Sequence, residues 1–202
     1  MLDKYIVPVL KKPLQQCAKL VAATGVTASQ VTVLGFVFGL CAIVAIGFEA
    51  YGWGLLFLCL NRLADGIDGE LARLSAPTDA GAYLDITLDF VFYAMFPLGF
   101  AIANPADNAL PAAILITSFV GTGASFLAFS DLAHQSGMAH PEFAYKGLYY
   151  LDGLAEGTET VVCFALMCLF PSHFVLISLI FAAVCVLTAI NRIVFGYISL
   201  KR

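Results

Sequence analysis

Four aspartates, Asp65, Asp68, Asp85 and Asp89, recur at helical spacing inside a chain that is otherwise overwhelmingly apolar. On a helix, positions i, i+3, i+4, i+7 and i+8 share a face. Asp65, Asp68, Gly69, Ala72 and Arg73 have that spacing and form one stripe of two carboxylates, two small residues and a guanidinium. Beyond the turn sequence LSAPTDA, Gly81, Asp85 and Asp89 fall at i, i+4 and i+8 and form a second stripe that can face the first. Carboxylates gathered inside a membrane repel one another and are costly to bury, which makes them functional candidates. One arginine cannot compensate four of them, whereas divalent cations can. Oxygen donors without His or Cys suit Mg²⁺, Mn²⁺ or Ca²⁺ rather than zinc. One or two ions, two in preference, Mg²⁺ or else Mn²⁺, are expected on Asp65, Asp68, Asp85 and Asp89. Gly69, Ala72 and Gly81 leave room for a large neighbour to approach the backbone. Metal, arginine and a small-residue floor together suit a pyrophosphate undergoing in-line displacement at phosphorus.

The elements that must hold these stripes are membrane helices. Of 202 residues, 61% are hydrophobic and 12% charged, and the mean hydropathy is +0.92, outside the balance of soluble domains. Uncharged runs long enough to span a bilayer at roughly 20 residues each place helices at about 29–48, 108–130 and 174–191. Three shorter apolar runs become spans only if extended through acidic segments, giving helices at about 51–73, 81–103 and 156–172. The expectation is an all-α polytopic membrane protein with six transmembrane helices, a single domain over 1–202 whose bundle covers 29–198. Residues 1–22 alternate apolar and basic positions at helical spacing, interrupted by Pro8 and Pro13, and read as an interfacial amphipathic helix drawn to membrane lipids. No secretory signal peptide is expected.

All ten basic residues fit one side of such a bundle, and the opposite connections EAYGWG, NPADN and FPSHF hold none. Cytoplasmic loops retain Lys and Arg, so both termini and the acidic cluster are expected at the cytoplasmic face. A net charge of −4 gives no reason to expect nucleic acid as a partner. Six cysteines lie singly in apolar runs and read as small packing residues. Gly35-x-x-x-Gly39 and GTGAS, residues 121–125, read as close helix packing.

The pattern Asp65-x-x-Asp68-Gly69-x-x-Ala72-Arg73, seven residues, then Gly81-x-x-x-Asp85-x-x-x-Asp89 resembles the signature of the CDP-alcohol phosphatidyltransferases. The resemblance implies an integral membrane enzyme of phospholipid synthesis, in a bacterium seated in the inner membrane. An alcohol hydroxyl would attack CDP-diacylglycerol on the lipid side of its diphosphate and CMP would leave. It implies that Asp65, Asp68 and Asp85 ligate metal, that Asp89 assists and serves as general base, and that Asp65, Gly69, Ala72, Arg73 and Gly81 hold the CDP moiety. It also implies a homodimer. The segment GVTASQVT departs from the family, because Ser29 and Gln30 stand where many members carry Asn or Asp.

The acceptor is less legible. Arg62, Lys146 and Arg192 suit a phosphorylated alcohol such as glycerol 3-phosphate, while Asp152, Glu156 and Glu159 suit an amine. An inositol phosphate, serine or a choline-like amine are the alternatives, and interhelical ion pairing of Glu156 and Glu159 with Arg192 or Arg62 is a purely structural one. Arg62 also reads as a topogenic or snorkelling residue. From another class, a divalent-cation transporter would use the same carboxylates, but the outer halves of their helices are apolar.

Overall fold

A computed structural model describes residues 3–135 and 153–201. The described chain is all-α, with seven α-helices: α1 (Asp3–Ala22), α2 (Ala28–Gly47), α3 (Tyr51–Ser75), α4 (Asp79–Ala103), α5 (Pro105–Gln135), α6 (Gly157–Leu169) and α7 (Phe174–Leu200). Four stretches are long and apolar enough to cross a bilayer: Ala28–Gly47, Asp79–Ala103, Pro105–Ala133 and Pro171–Leu200. Large apolar side chains such as Val33, Val37 and Val44 on α2 and Leu176, Ile180, Leu187 and Val194 on α7 face outward. That surface belongs to an integral membrane protein, whose helices satisfy their own backbone groups in lipid.

The other two expected spans differ from these four. α3 has the length, but Arg62, Asp65, Asp68, Glu70 and Arg73 interrupt its apolar character. α6 is shorter than expected, at 13 residues, or about 20 Å of rise against a hydrocarbon core of about 30 Å. Phe170 leaves the helical region at φ −128°, and Pro171, which has no N–H to donate, opens a short 3-10 turn, Pro171–His173. Conversely, α5 and α7 run past the expected limits, to Gln135 and Leu200. α1 continues through Pro13, whose missing N–H falls on an exposed face.

An aromatic column fills the core. Phe96 stacks on Phe164 at 4.1 Å and Phe100 on Phe174 at 4.5 Å, tying α4 to α6 and α7. α2 packs against both α3 and α4, while α3 and α4 make little direct approach to each other. The two glycines of Gly35-x-x-x-Gly39 make the α2 contacts possible. A Cβ at Gly35 would come within 3.0 Å of Ala64 Cβ, and one at Gly39 within 2.6 Å of the Phe92 ring. In GTGAS, Gly123 meets Phe90 in the same way, and Gly121 lies against Ala189. α1 docks on the outside of α3 through buried Ala18 and through Leu14 against Gly66, leaving Val9, Leu10 and Leu20 exposed. All six cysteines are free.

Candidate metal and substrate site

α3 carries Asp65 and Asp68 in its later half, and α4 carries Asp85 and Asp89 in its earlier half. The connection between them is short. Ala76, at φ +68°, turns the chain out of α3. Thr78 then caps α4 by accepting a hydrogen bond from Gly81 N–H at 3.1 Å. The carboxylates of both helices therefore emerge at the same end of the bundle, in a gap that neither helix closes because α2 lies between them.

Asp65, Asp68 and Asp85 each offer a carboxylate oxygen, and these atoms lie within 4.8 Å of one another. Asp68 is 3% exposed. Its Oδ2 is fully buried with no hydrogen-bond partner among the described residues. An orphaned buried carboxylate oxygen beside two further carboxylates is costly unless a cation completes it. The residues fit a divalent cation, and the all-oxygen donor set selects a hard one.

Asp89 stands apart from this trio. Its Oδ1 accepts from Arg62 Nη2 at 2.7 Å and its Oδ2 from Arg62 Nη1 at 3.4 Å. Arg62 also approaches Asp65 Oδ2 at 3.6 Å, donates through Nε to Asn61 Oδ1 at 2.7 Å and through Nη1 to Tyr93 Oη at 2.8 Å. Its guanidinium carbon sits 5.2 Å from the Phe92 ring centre and 5.1 Å from that of Tyr93. Asn61, itself buried, donates to Gly35 O of α2 at 2.8 Å. Asn61 and Tyr93 were not singled out in the sequence. The signal was present, since Asn61 and Asp65 are four residues apart, as are Asp89 and Tyr93.

Beside the carboxylates opens a cleft of about 690 Å³, lined by residues of α2, α3 and α4 that include Ser29, Gly69, Ala72, Arg73 and Gly81. The glycines here differ from those of α2. Among the described residues, a Cβ at Gly69 would meet only Arg73 Nη2, at 3.6 Å, so their packing does not require its absence. Arg73 is paired with Glu70 at 2.8 Å and its side chain is 65% exposed. The departure at Ser29 and Gln30 acquires a physical reading. Gln30 closes a capping box with Thr27, its Oε1 accepting from Thr27 N at 2.9 Å. Ser29 faces the cleft, with its Oγ 3.6 Å from the position of a Cβ on Gly81.

The residues expected at the acceptor part company. Arg62 is engaged with Asp65 and Asp89, and Lys146 and Asp152 lie outside the described residues. Arg192 lines a second, largely apolar cavity of about 580 Å³ between α4, α5, α6 and α7, with Tyr93, Phe119, Glu156 and Thr160. Its guanidinium lies over Phe126 at 5.3 Å. Tyr93 is shared, touching Arg62 on one side and this cavity on the other.

Helices, acidic cluster and cleft together describe a membrane enzyme built to manage a diphosphate, and comparison with known proteins gives that class its name. The sequence model of the CDP-alcohol phosphatidyltransferase family matches residues 25–190, and the chain belongs to that family. It is 46% identical over 204 residues to the inner membrane protein YnjF of Escherichia coli (strain K12), covering all of this chain and 98% of that one. It is 31% identical over 105 residues to the archaetidylinositol phosphate synthase of Pyrococcus horikoshii, spanning 52% of this chain and 55% of the relative. In fold it resembles the phosphatidylinositol phosphate synthase of Mycobacterium tuberculosis. The crystal structure with CDP-DAG bound superposes with a TM-score of 0.67 at 17% identity over 91% of this chain and 93% of that one. A second crystal structure of that protein, in complex with manganese and citrate, gives 0.65 at 18% identity over 91% and 88%. The chain is a CDP-alcohol phosphatidyltransferase family enzyme of phospholipid synthesis, and its acidic cluster has the donors to hold a divalent cation.

Proposed function

We propose that this enzyme transfers the phosphatidyl group of CDP-diacylglycerol to a small polar alcohol and releases CMP, with glycerol 3-phosphate as the leading acceptor. The observation that carries the reading is the convergence of Asp65, Asp68 and Asp85 beside a cleft lined by Gly69, Ala72, Arg73 and Gly81. A bound divalent cation neutralises the diphosphate and stabilises charge that builds during displacement. Asp65, Asp68 and Asp85 hold the cation. Gly69 and Gly81 let the CDP moiety approach the backbone, Ala72 keeps that wall low, and Arg73 supplies exposed N–H donors. The acceptor oxygen attacks the phosphorus on the lipid side, the bond to the CMP oxygen breaks, and CMP departs with the electron pair. Asp89 accepts the hydroxyl proton. Arg62 and Tyr93 keep Asp89 in one orientation.

An inositol phosphate is the second reading. The names of the archaeal relative, an archaetidylinositol phosphate synthase, and of the mycobacterial fold neighbour, a phosphatidylinositol phosphate synthase, favour it. Either acceptor carries a phosphate that Arg192 can recognise from the cavity beside Tyr93, with Lys146 as a second donor. The full arrangement we infer is one domain with six crossings, both termini and the site on the cytoplasmic side of a bacterial inner membrane, and two copies per molecule. The one-sided distribution of Lys and Arg supports the orientation.

The test is CMP release by the purified protein in detergent–lipid micelles given CDP-diacylglycerol, Mg²⁺ and, in separate reactions, glycerol 3-phosphate, inositol phosphate, serine or choline. Release with a single acceptor is expected. CMP from none of them, together with Mn²⁺ uptake by proteoliposomes, overturns the transferase reading.

A further inference from the structure

We propose that Glu70 is a positioning residue for the CDP subsite: braced by α1, it holds the Arg73 guanidinium beside the open floor at Gly69. The inference rests on the reading above that this cleft receives the CDP moiety, and it makes the N-terminal helix a working part of that subsite.

Glu70 stands between Gly69 and Ala72, at a position to which the motif gives no role. It lies behind the wall of the cleft, 5% exposed, where α1 packs on α3. Its Oε1 accepts from Arg73 Nη2 at 2.8 Å. The side-chain amide of Gln15, on α1, reaches the same carboxylate, and Lys11 adds a positive charge nearby. Lys11, Leu14, Gln15 and Ala18 fall at i, i+3, i+4 and i+7, so one face of α1 carries them all. Leu14 seats against Gly66 and Ala18 is fully buried, which holds that face on α3. The Glu70 carboxylate therefore joins α1 to an arginine of the cleft.

Packing does not account for this carboxylate. The seam around it is apolar, built from Ala18, Val21, Ile67 and Leu71, and an apolar side chain there would avoid the cost of burying a charge. The charge does account for the place of Arg73. That side chain is 65% exposed, and Glu70 is its ion-pair partner among the described residues. An exposed pair is ordinarily worth little, but here one partner is buried and braced by a second helix. A long exposed arginine ranges over many rotamers, and holding it before the ligand arrives lowers the ordering cost of binding. Arg73 Nη2 stands 3.6 Å from the position of a Cβ on Gly69, the surface where a diphosphate can approach the backbone. A guanidinium has five N–H donors, so the bond to Glu70 leaves others for phosphate oxygens.

Nucleotide binding tests this without an acceptor. The full-length protein in nanodiscs of neutral lipid, with Mg²⁺ present, is titrated with CDP, the soluble part of the donor, and Kd is read by calorimetry. Arg73→Gln should weaken CDP by about 10–100-fold, the scale of a hydrogen bond to a charged group. Glu70→Ala should weaken it by about 5–10-fold and Gln15→Leu by about threefold, as for residues that act through a neighbour. In the Arg73→Gln background, Glu70→Ala and Gln15→Leu should each change Kd by less than about twofold, because the group they position is gone. A merely structural role would weaken binding by the same factor in both backgrounds, and that result overturns the proposal. So does a Glu70→Ala protein that binds CDP like wild type, or an Arg73→Gln protein that does. Should Glu70→Ala fail to fold, Glu70→Gln keeps the shape and an acceptor oxygen. It should weaken CDP by about threefold in wild type and not in Arg73→Gln, and equal losses again overturn the proposal. No CDP binding by wild type strikes down the reading of the cleft itself, whereas the CMP-release assay tests the transferase reading separately.

Discussion

The two cavities of this protein are built in opposite ways. The cleft between α3 and α4 draws its charged residues from one short stretch, Asp68 to Asp85, and adds Thr27, Ser29 and Thr32 from the start of α2. The cavity between α4, α5, α6 and α7 gathers Tyr93, Phe119, Glu156, Thr160 and Arg192 from across a hundred residues, and most of its wall is apolar. In the first, a helical pattern fixes which side chains meet, so the chemistry is written locally. In the second, tertiary packing alone decides, and a substitution on any of four helices reshapes it.

That contrast can be broken in three places. The largest effect is expected from Asp68→Asn, which removes a ligand charge at the base of the cleft. CMP release should fall by about 10³-fold or more, because a metal supplies several kcal/mol of transition-state stabilisation. Mn²⁺ binding measured on the same sample should be lost.

Next come the two kinds of glycine. Gly39→Ala drives a Cβ to 2.6 Å from the Phe92 ring, which is 1% exposed and cannot retreat. Thermal unfolding in detergent should show a loss of about 1–3 kcal/mol, the usual range for overpacking. Gly69→Val should leave the melting temperature nearly unchanged, because its first Cβ meets only the mobile end of Arg73. Its KM for CDP-diacylglycerol should rise about tenfold, as one obstructing group costs roughly 1.4 kcal/mol. Equal destabilisation by the two variants would mean that the cleft is packing space and not a substrate path.

The smallest effect belongs to the second cavity. Arg192→Gln should raise KM for a phosphorylated acceptor by about 5–10-fold, the scale of one charge-assisted hydrogen bond, while KM for CDP-diacylglycerol stays within about twofold. If both constants move together, the two cavities are not separate compartments.

Much of the first region could be read before any coordinates existed. Asp65, Asp68 and Asp85 converge because spacings of three and four residues put side chains on one helical face, and a three-residue connection leaves the two faces little choice but to meet. The class of fold followed from uncharged runs in the same way. Arg62 was harder to read. Its position three residues before Asp65 places it on the right face, but only tertiary structure shows Asn61, Tyr93 and Asp89 holding it inside, where a lone arginine near a membrane surface otherwise snorkels. α6 ended early because Phe170 and Pro171 break the helix, a local event that an apolar run conceals. The second cavity had no sequence signature, since residues on separate helices share no period.

The backbones of the helices bearing the reactive groups stay apart, joined through Arg62 and its partners Asp89 and Tyr93; a third helix, α2, sits against both through Gly35 and Gly39. The distance between the two acidic walls is therefore set by the girth of a neutral spacer. Enlarging or trimming side chains along that spacer would widen or narrow the opening without touching any charged group, so the bite of the site and its chemistry can be adjusted independently.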